Sequence, residues 1–135
     1  MANEAVIIEL LGVKKGRPVR YTCADAGAIP KGTLLKMTDP RTVVASSGDD
    51  PFAGIAAHEK VALDGSTTIT AYTHGIFDLT NANIASFSAG DHVDVNGANL
   101  VTICDAAGMI KRFVGLALED AAKQGVACVL VGSGL

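Results

Sequence analysis

A glycine-turn-and-strand pattern occurs twice in this chain, in the same order, and no other feature of the sequence narrows the fold as far. The first copy opens with Ile29-Pro30-Lys31-Gly32-Thr33-Leu34-Leu35-Lys36-Met37, the second with Phe87-Ser88-Ala89-Gly90-Asp91-His92-Val93-Asp94-Val95, so the turn glycines lie 58 positions apart. Thr42–Ala45 and Leu100–Ile103 follow at the same spacing. Phe52-Ala53-Gly54-Ile55-Ala56 then matches Phe113-Val114-Gly115-Leu116-Ala117 at a spacing of 61. Each copy continues with an acidic residue, Glu59 or Glu119, and closes on a β-rich run, Thr67–Thr73 or Val126–Val131. A kept order of short strands and turns indicates a duplicated β unit, and two such units can bury their apolar faces together.

Strands this short, divided by turns every 8–12 residues, belong to a sandwich or barrel. Gly54 and Gly115 interrupt good strands, as expected where a barrel bends or bulges; Gly32, Gly75 and Gly90 mark turns or strand starts. Helix signals are confined to Asn81–Ser86, capped by Thr80 or Asn81, and to Ala117–Lys123, ended by Gly125. The expectation is an all-β protein: a small β-sandwich or β-barrel with at most one or two helical turns. An extended N-terminal arm would occupy residues 1–18, followed by one barrel domain, residues 19–135, with the duplication at about 29–73 and 87–131.

The core must come from aliphatic residues, because aromatic residues make up 4% of the 135 and Trp is absent, while the hydrophobic fraction is 49%. Charge is unevenly placed. Residues 1–36 carry a net +3 and the remainder −6, which gives a basic leading segment on an acidic body. The run Val6, Ile7, Ile8, Leu10, Leu11, Val13 is short, β-branched and closed by Lys14-Lys15-Gly16-Arg17-Pro18, so it reads as extended. It has two readings: an arm, Ala5–Val13, that adds a strand to a neighbouring sheet, or the first strand of the chain's own core.

Chemistry is sparsely signalled. Cys23, Cys104 and Cys128 are odd in number and lack a CxxC spacing, which argues against a disulfide framework or a zinc site; Cys128, inside an apolar run, reads as a small core residue. No phosphate-binding loop or nucleophile elbow is present. His58, His74 and His92 are far apart, and His92 alternates with Val93 and Val95 toward solvent. His58-Glu59 is a formal acid–base pair in a turn. Asp49-Asp50 sits in a loop composition, and Asp91 and Asp94 fall on opposite faces of an alternating strand. The Gly48-Asp49-Asp50 stretch lacks the EF-hand pattern. Single-stranded nucleic acid would need aromatic platforms between basic residues; only Tyr21 beside Arg20 fits, with Tyr72, Phe77 and Phe87 in acidic or neutral surroundings. No signal peptide and no apolar stretch of membrane-spanning length stands out. These readings point away from an enzyme, with no cofactor, metal, nucleic acid or membrane partner.

Gly32-Thr33-Leu34-Leu35, Gly75-Ile76-Phe77-Asp78-Leu79, Ala89-Gly90-Asp91-His92-Val93 and Gly115-Leu116-Ala117-Leu118-Glu119, with Ala121-Ala122 and Gly125 following, form an ordered set. In this set the chain resembles the capsid decoration (cement) proteins of tailed bacteriophages from about Val19 onward. The resemblance implies a compact β-barrel or β-tulip, synthesised in a host cytoplasm and bound to the outer surface of the virion head. It further implies a homo-trimer seated between major capsid protein subunits, resisting internal DNA pressure without catalytic residues. Val6, Ile7, Ile8, Leu10, Leu11 and Val13 would then contact capsid or a neighbouring copy, and Lys14, Lys15, Arg17 and Arg20 would add salt-sensitive attraction to an acidic shell. The alternative from another class is a small carbohydrate- or ligand-binding module using Tyr72 and Phe77.

Overall fold

The computed structural model describes residues 3–9, 18–48, 51–104 and 113–131. Leu10, Leu11, Val13, Lys14, Lys15, Arg17 and the Asp49-Asp50 pair lie outside the described residues. Eleven strands are described: β1 (Val6–Glu9), β2 (Val19–Thr22), β3 (Leu34–Asp39), β4 (Thr42–Ala45), β5 (Phe52–Ala56), β6 (Thr68–Tyr72), β7 (Gly75–Asn81), β8 (His92–Val95), β9 (Leu100–Ile103), β10 (Phe113–Ala117) and β11 (Val126–Val131). The protein is all-β, and neither Asn81–Ser86 nor Ala117–Lys123 forms a helical turn.

Each copy of the repeat closes into its own five-stranded barrel. The first runs β2-β4-β3-β5-β6, and the second runs β7-β9-β8-β10-β11 in the matching order. Both close through the same uncommon pairing, a parallel contact: Thr22 with Thr42 in the first barrel, Thr80 with Leu100 in the second, 58 positions on. Isolated bridges recur as well, Ile29 with Lys60 and Phe87 with Ala121. The correspondence therefore reaches back to β2 and β7, ahead of the start read from sequence. It also shifts one assignment. His58, not Glu59, is the counterpart of Glu119: Thr70 N–H donates to His58 Nε2 at 3.3 Å, as Cys128 N–H donates to Glu119 Oε1 at 2.9 Å.

The glycines sit where strands crowd. Pairing slips a register beside Gly54, between Leu35 and Lys36, and beside Gly115, between Phe113 and Gly115. A methyl group on Gly115 would press on the Leu130 carbonyl, 2.9 Å from its carbon and 3.0 Å from Val131 Cα. Gly54 holds a φ of +155°, and a methyl there would stand 2.9 Å from the Tyr72 carbonyl oxygen. Ordinary carbon contacts lie at about 3.5–4.0 Å, so both positions exclude any side chain.

Two apolar clusters form the core. One fills the first barrel with Cys23, Ile29, Leu35, Val43, Ala53, Ala56, Ile69 and Ala71. The other fills the second barrel and takes in Leu34 and Ile55 from the first. These two side chains, both 0% exposed, point out of their own barrel and into the joint between the two. The joint is also hydrogen-bonded: Asn99 Oδ1 accepts Leu34 N–H at 2.9 Å, and Ser46 Oγ donates to Gly97 O at 3.0 Å.

β1 does not extend from the body. It pairs antiparallel with β7, Val6 opposite Asp78 and Ile7 opposite Phe77, with a bulge before Glu9. Ile7 packs on the core of the second barrel, and Ala5 N–H donates to Gly32 O at 2.6 Å, tying the segment to the first barrel. The segment thus covers a stretch of β7 edge that would otherwise offer unpaired backbone groups.

The ends of the barrels are plugged differently. In the first, Lys60 is almost fully buried, and its Nζ donates to Asp25 O at 2.8 Å, Val61 O at 3.1 Å and Asp64 Oδ1 at 3.1 Å, with Asp25 Oδ1 at 3.4 Å. In the second, the counterpart of Lys60 is Ala121. Asn81, counterpart of Cys23, supplies the donor from the other strand, to Ala85 O at 2.8 Å and Ala122 O at 3.0 Å. One long donor and one small neighbour fill each end, with the two roles exchanged.

Candidate functional site

A cavity of about 630 Å³ lies where the N-terminal segment meets the joint and is lined by residues 3–7, Lys31, Gly32, Ile55 and Ala56. Among the described residues its ionisable side chains are Glu4 and Lys31, which is no constellation for acid–base or nucleophilic work. The sequence candidates for chemistry are dispersed. His58 is held by backbone, with Nε2 accepting from Thr70 and Nδ1 3.2 Å from Glu59 O. His74 Nδ1 contacts Thr73 Oγ1 at 3.0 Å, and the His92 ring packs 5.5 Å from Phe113 rather than standing free. Asp91 caps its own turn by accepting Ser88 N–H at 2.9 Å, whereas Asp94 is buried in β8. Phe77 is fully buried, and Tyr72 stacks toward it at a centroid distance of 6.0 Å. The two aromatics therefore form no exposed platform for a carbohydrate.

The sheet faces carry more. Along β7 and β11 the inward residues are Phe77, Leu79, Ala127 and Val129, so Asp78, Thr80, Val126, Cys128 and Leu130 face outward. On β1, Val6 and Ile8 are 56% and 51% exposed, and Val126 on β11 is 58% exposed. This outer face is apolar with an acidic centre. Cys128 lies directly across from Asp78 and donates its S–H to Asp78 Oδ1 at 3.1 Å, while its backbone N–H donates to Glu119. Cys128 is thus a surface residue, not the core residue read from its apolar run. That run has hydrophobic side chains on both faces, so alternation alone does not say which points in. The hydrogen bond to Asp78, together with burial and the Glu119 carboxylate, pushes the Cys128 thiol up to about 12.

The matching face of the first barrel is basic. Arg20 stands where Asp78 does, Thr70 where Cys128 does and His58 where Glu119 does, on the pairings of β2 with β6 and β7 with β11. Arg20 is exposed, and the guanidinium of Arg41 lies beside it, donating to Arg20 O at 2.9 Å. Sequence reasoning singled out Arg20 but missed Asp78, Glu119 and Cys128 as a group, since they are 41 and 9 residues apart along the chain.

The sequence model of the phage cement protein family matches residues 13–132 of this chain, nearly its whole length. The chain belongs to the phage cement protein family. Among solved structures it is similar to the N base of the head fiber gp8.5 of bacteriophage phi29, with a TM-score of 0.57 and 15% identity over 88% of this chain and 98% of that one. At that identity the likeness supports the fold alone, over most of the chain. No curated protein matches the chain. A cement protein is a structural, capsid-associated component of the virion, and the two rigid barrels of this one carry their distinctive chemistry on outer faces rather than in a cleft.

Proposed function

We propose that this cement protein binds the outside of the assembled head lattice between major capsid protein subunits, as a homo-trimer, and stabilises the shell against internal DNA pressure. The family match over residues 13–132 carries this reading. The physics supports it. Two barrels locked through a hydrogen-bonded, apolar joint make a stiff body, and stiffness lets modest contacts repeated over a lattice add up through avidity. Its contacts to capsid or to a neighbouring copy are made by the exposed side of the N-terminal segment, Val6 and Ile8, together with the basic residues Lys14, Lys15, Arg17 and Arg20. The matched barrels, strand for strand, are the product of a tandem duplication in this reading.

Occupancy on purified capsids tests it. Replacing Val6 and Ile8 together by Ser leaves inward-facing Ile7 in place, so the fold should survive while occupancy falls. Full occupancy by this variant would remove the N-terminal face from the contact, and absence of the wild-type chain from capsids would sink the reading altogether.

A further inference from the structure

The two barrels carry opposite charges at corresponding positions. Asp78 and Glu119 flank Cys128 on the second, with one carboxylate oxygen of each and the sulfur all within 4.8 Å of one another. Arg20, with Arg41 beside it, occupies the corresponding place on the first. Among the described residues neither Asp78 nor Glu119 meets a cation, and the Arg20 guanidinium meets no carboxylate; the ion pairs found are those of Lys60. Two carboxylates this close repel unless a positive group lies between them. A planar guanidinium with its fork of N–H donors is the side chain best shaped to bridge them.

We propose that the Asp78–Glu119 pair receives Arg20 of a second copy of this chain, joining the outer face of barrel two in one molecule to that of barrel one in the next. The inference deepens the self-association within the proposed function and rests on that part of it. The surfaces differ on the two sides of the contact, so it is head-to-tail, a geometry that closes into a ring when the rotation permits. Within one chain the pairing is not made: among the described residues no ion pair joins Arg20 to Asp78 or Glu119. Around the charges the second barrel's face offers exposed Val6, Ile8 and Val126, and the first offers exposed Thr22 and Thr68 with half-buried Thr70, so apolar side chains rim the central ion pair on one side.

Sedimentation equilibrium of the free protein at low ionic strength reads the contact without capsid. The wild type should self-associate, less so as salt rises. Arg20→Glu or Asp78→Arg alone should weaken association about tenfold or more, the usual scale for a reversed close charge pair. The double reversal should recover it. Because Asp78→Arg also removes the acceptor of the Cys128 thiol, Glu119→Gln, which keeps the bond from Cys128 N–H, provides the second variant and should weaken association too. Thermal melting confirms that each variant is folded. A wild type that stays monomeric at every concentration, single reversals without effect, or a double reversal that fails to recover would each overturn the proposal. Capsid occupancy separates the two readings. Loss of occupancy with self-association unchanged would assign the acidic pair to the shell and overturn this inference alone. Association as expected without occupancy would uphold the inference and overturn the capsid reading.

Discussion

Replacing Gly115 by Ala is the most demanding test of the two-barrel geometry. The added methyl has no room to rotate away, since what it meets is the backbone of Leu130 and Val131, paired to β10 through Gly115 opposite Val131 and Leu116 opposite Leu130. Contacts of 2.9 and 3.0 Å fall short of ordinary carbon separations by about 0.5–1 Å. The strands must therefore part at the barrel's corner. Overpacking of this kind costs about 1–3 kcal/mol, and two weakened ladder hydrogen bonds add about 1 kcal/mol each, so about 3 kcal/mol is expected. A chain of 135 residues unfolds with an entropy of about 0.3 kcal/mol/K, so the melting temperature should drop by about 10 °C. Gly27 is the control. Nothing lies within 4 Å of its would-be Cβ, and Gly27→Ala should change stability by less than about 0.5 kcal/mol. Gly54→Ala, at the matching corner of the first barrel, should resemble Gly115→Ala. Melting by circular dichroism, with urea titration for the free energies, measures all three. If Gly115→Ala melted within a few degrees of Gly27→Ala, β10 and β11 would not approach as described.

Two further predictions concern ionisable groups. Burial alone would push Lys60 down, but the hydrogen bonds and charges of Asp64 and Asp25 outweigh it and hold the ammonium above its ordinary 10.5. The Ser66 N–H and then Lys60 hold Asp64 below its ordinary 3.8. The Asp64 contribution is complete above that ordinary value and is lost as pH falls through the lower folded one; the Lys60 contribution is complete below 10.5 and is lost as pH rises through the higher folded one. Lys60→Met should therefore be less stable than wild type by a margin that is flat across mid-range pH and narrows in acid, as followed by urea unfolding at several pH values; a margin unchanged at pH 2 would contradict the pairing. Cys128, with its thiol near 12, should be only about one part in ten thousand thiolate at pH 8 and alkylate very slowly with iodoacetamide. Asp78→Asn should speed that reaction, read by mass spectrometry of the modified peptide, and an unchanged rate would deny the Asp78 bond its role.

Local pattern in the sequence determined a great deal here. Turn glycines followed by alternating strands can only be β structure, and their recurrence in order at a spacing of 58 signalled two like units, because these are constraints between neighbouring residues. The family resemblance was legible for the same reason. Long-range pairing decided the rest. That each copy closes on itself depends on one short parallel pairing, Thr22 with Thr42 in the first barrel and Thr80 and Asn81 with Leu100 and Val101 in the second, which no local pattern encodes. Val6–Glu9 was legible as a strand, but its seat on β7 follows from an edge left open by β9 and from the pocket Ile7 fills. Lys60 reads as a surface charge until the fold gathers two carbonyls and two carboxylates around its ammonium. In β11 every residue from Val126 to Val131 is apolar or small, so the outward turn of Cys128, and its meeting with Asp78 and Glu119, came from register alone: a one-residue slip would have buried the thiol and dissolved the site.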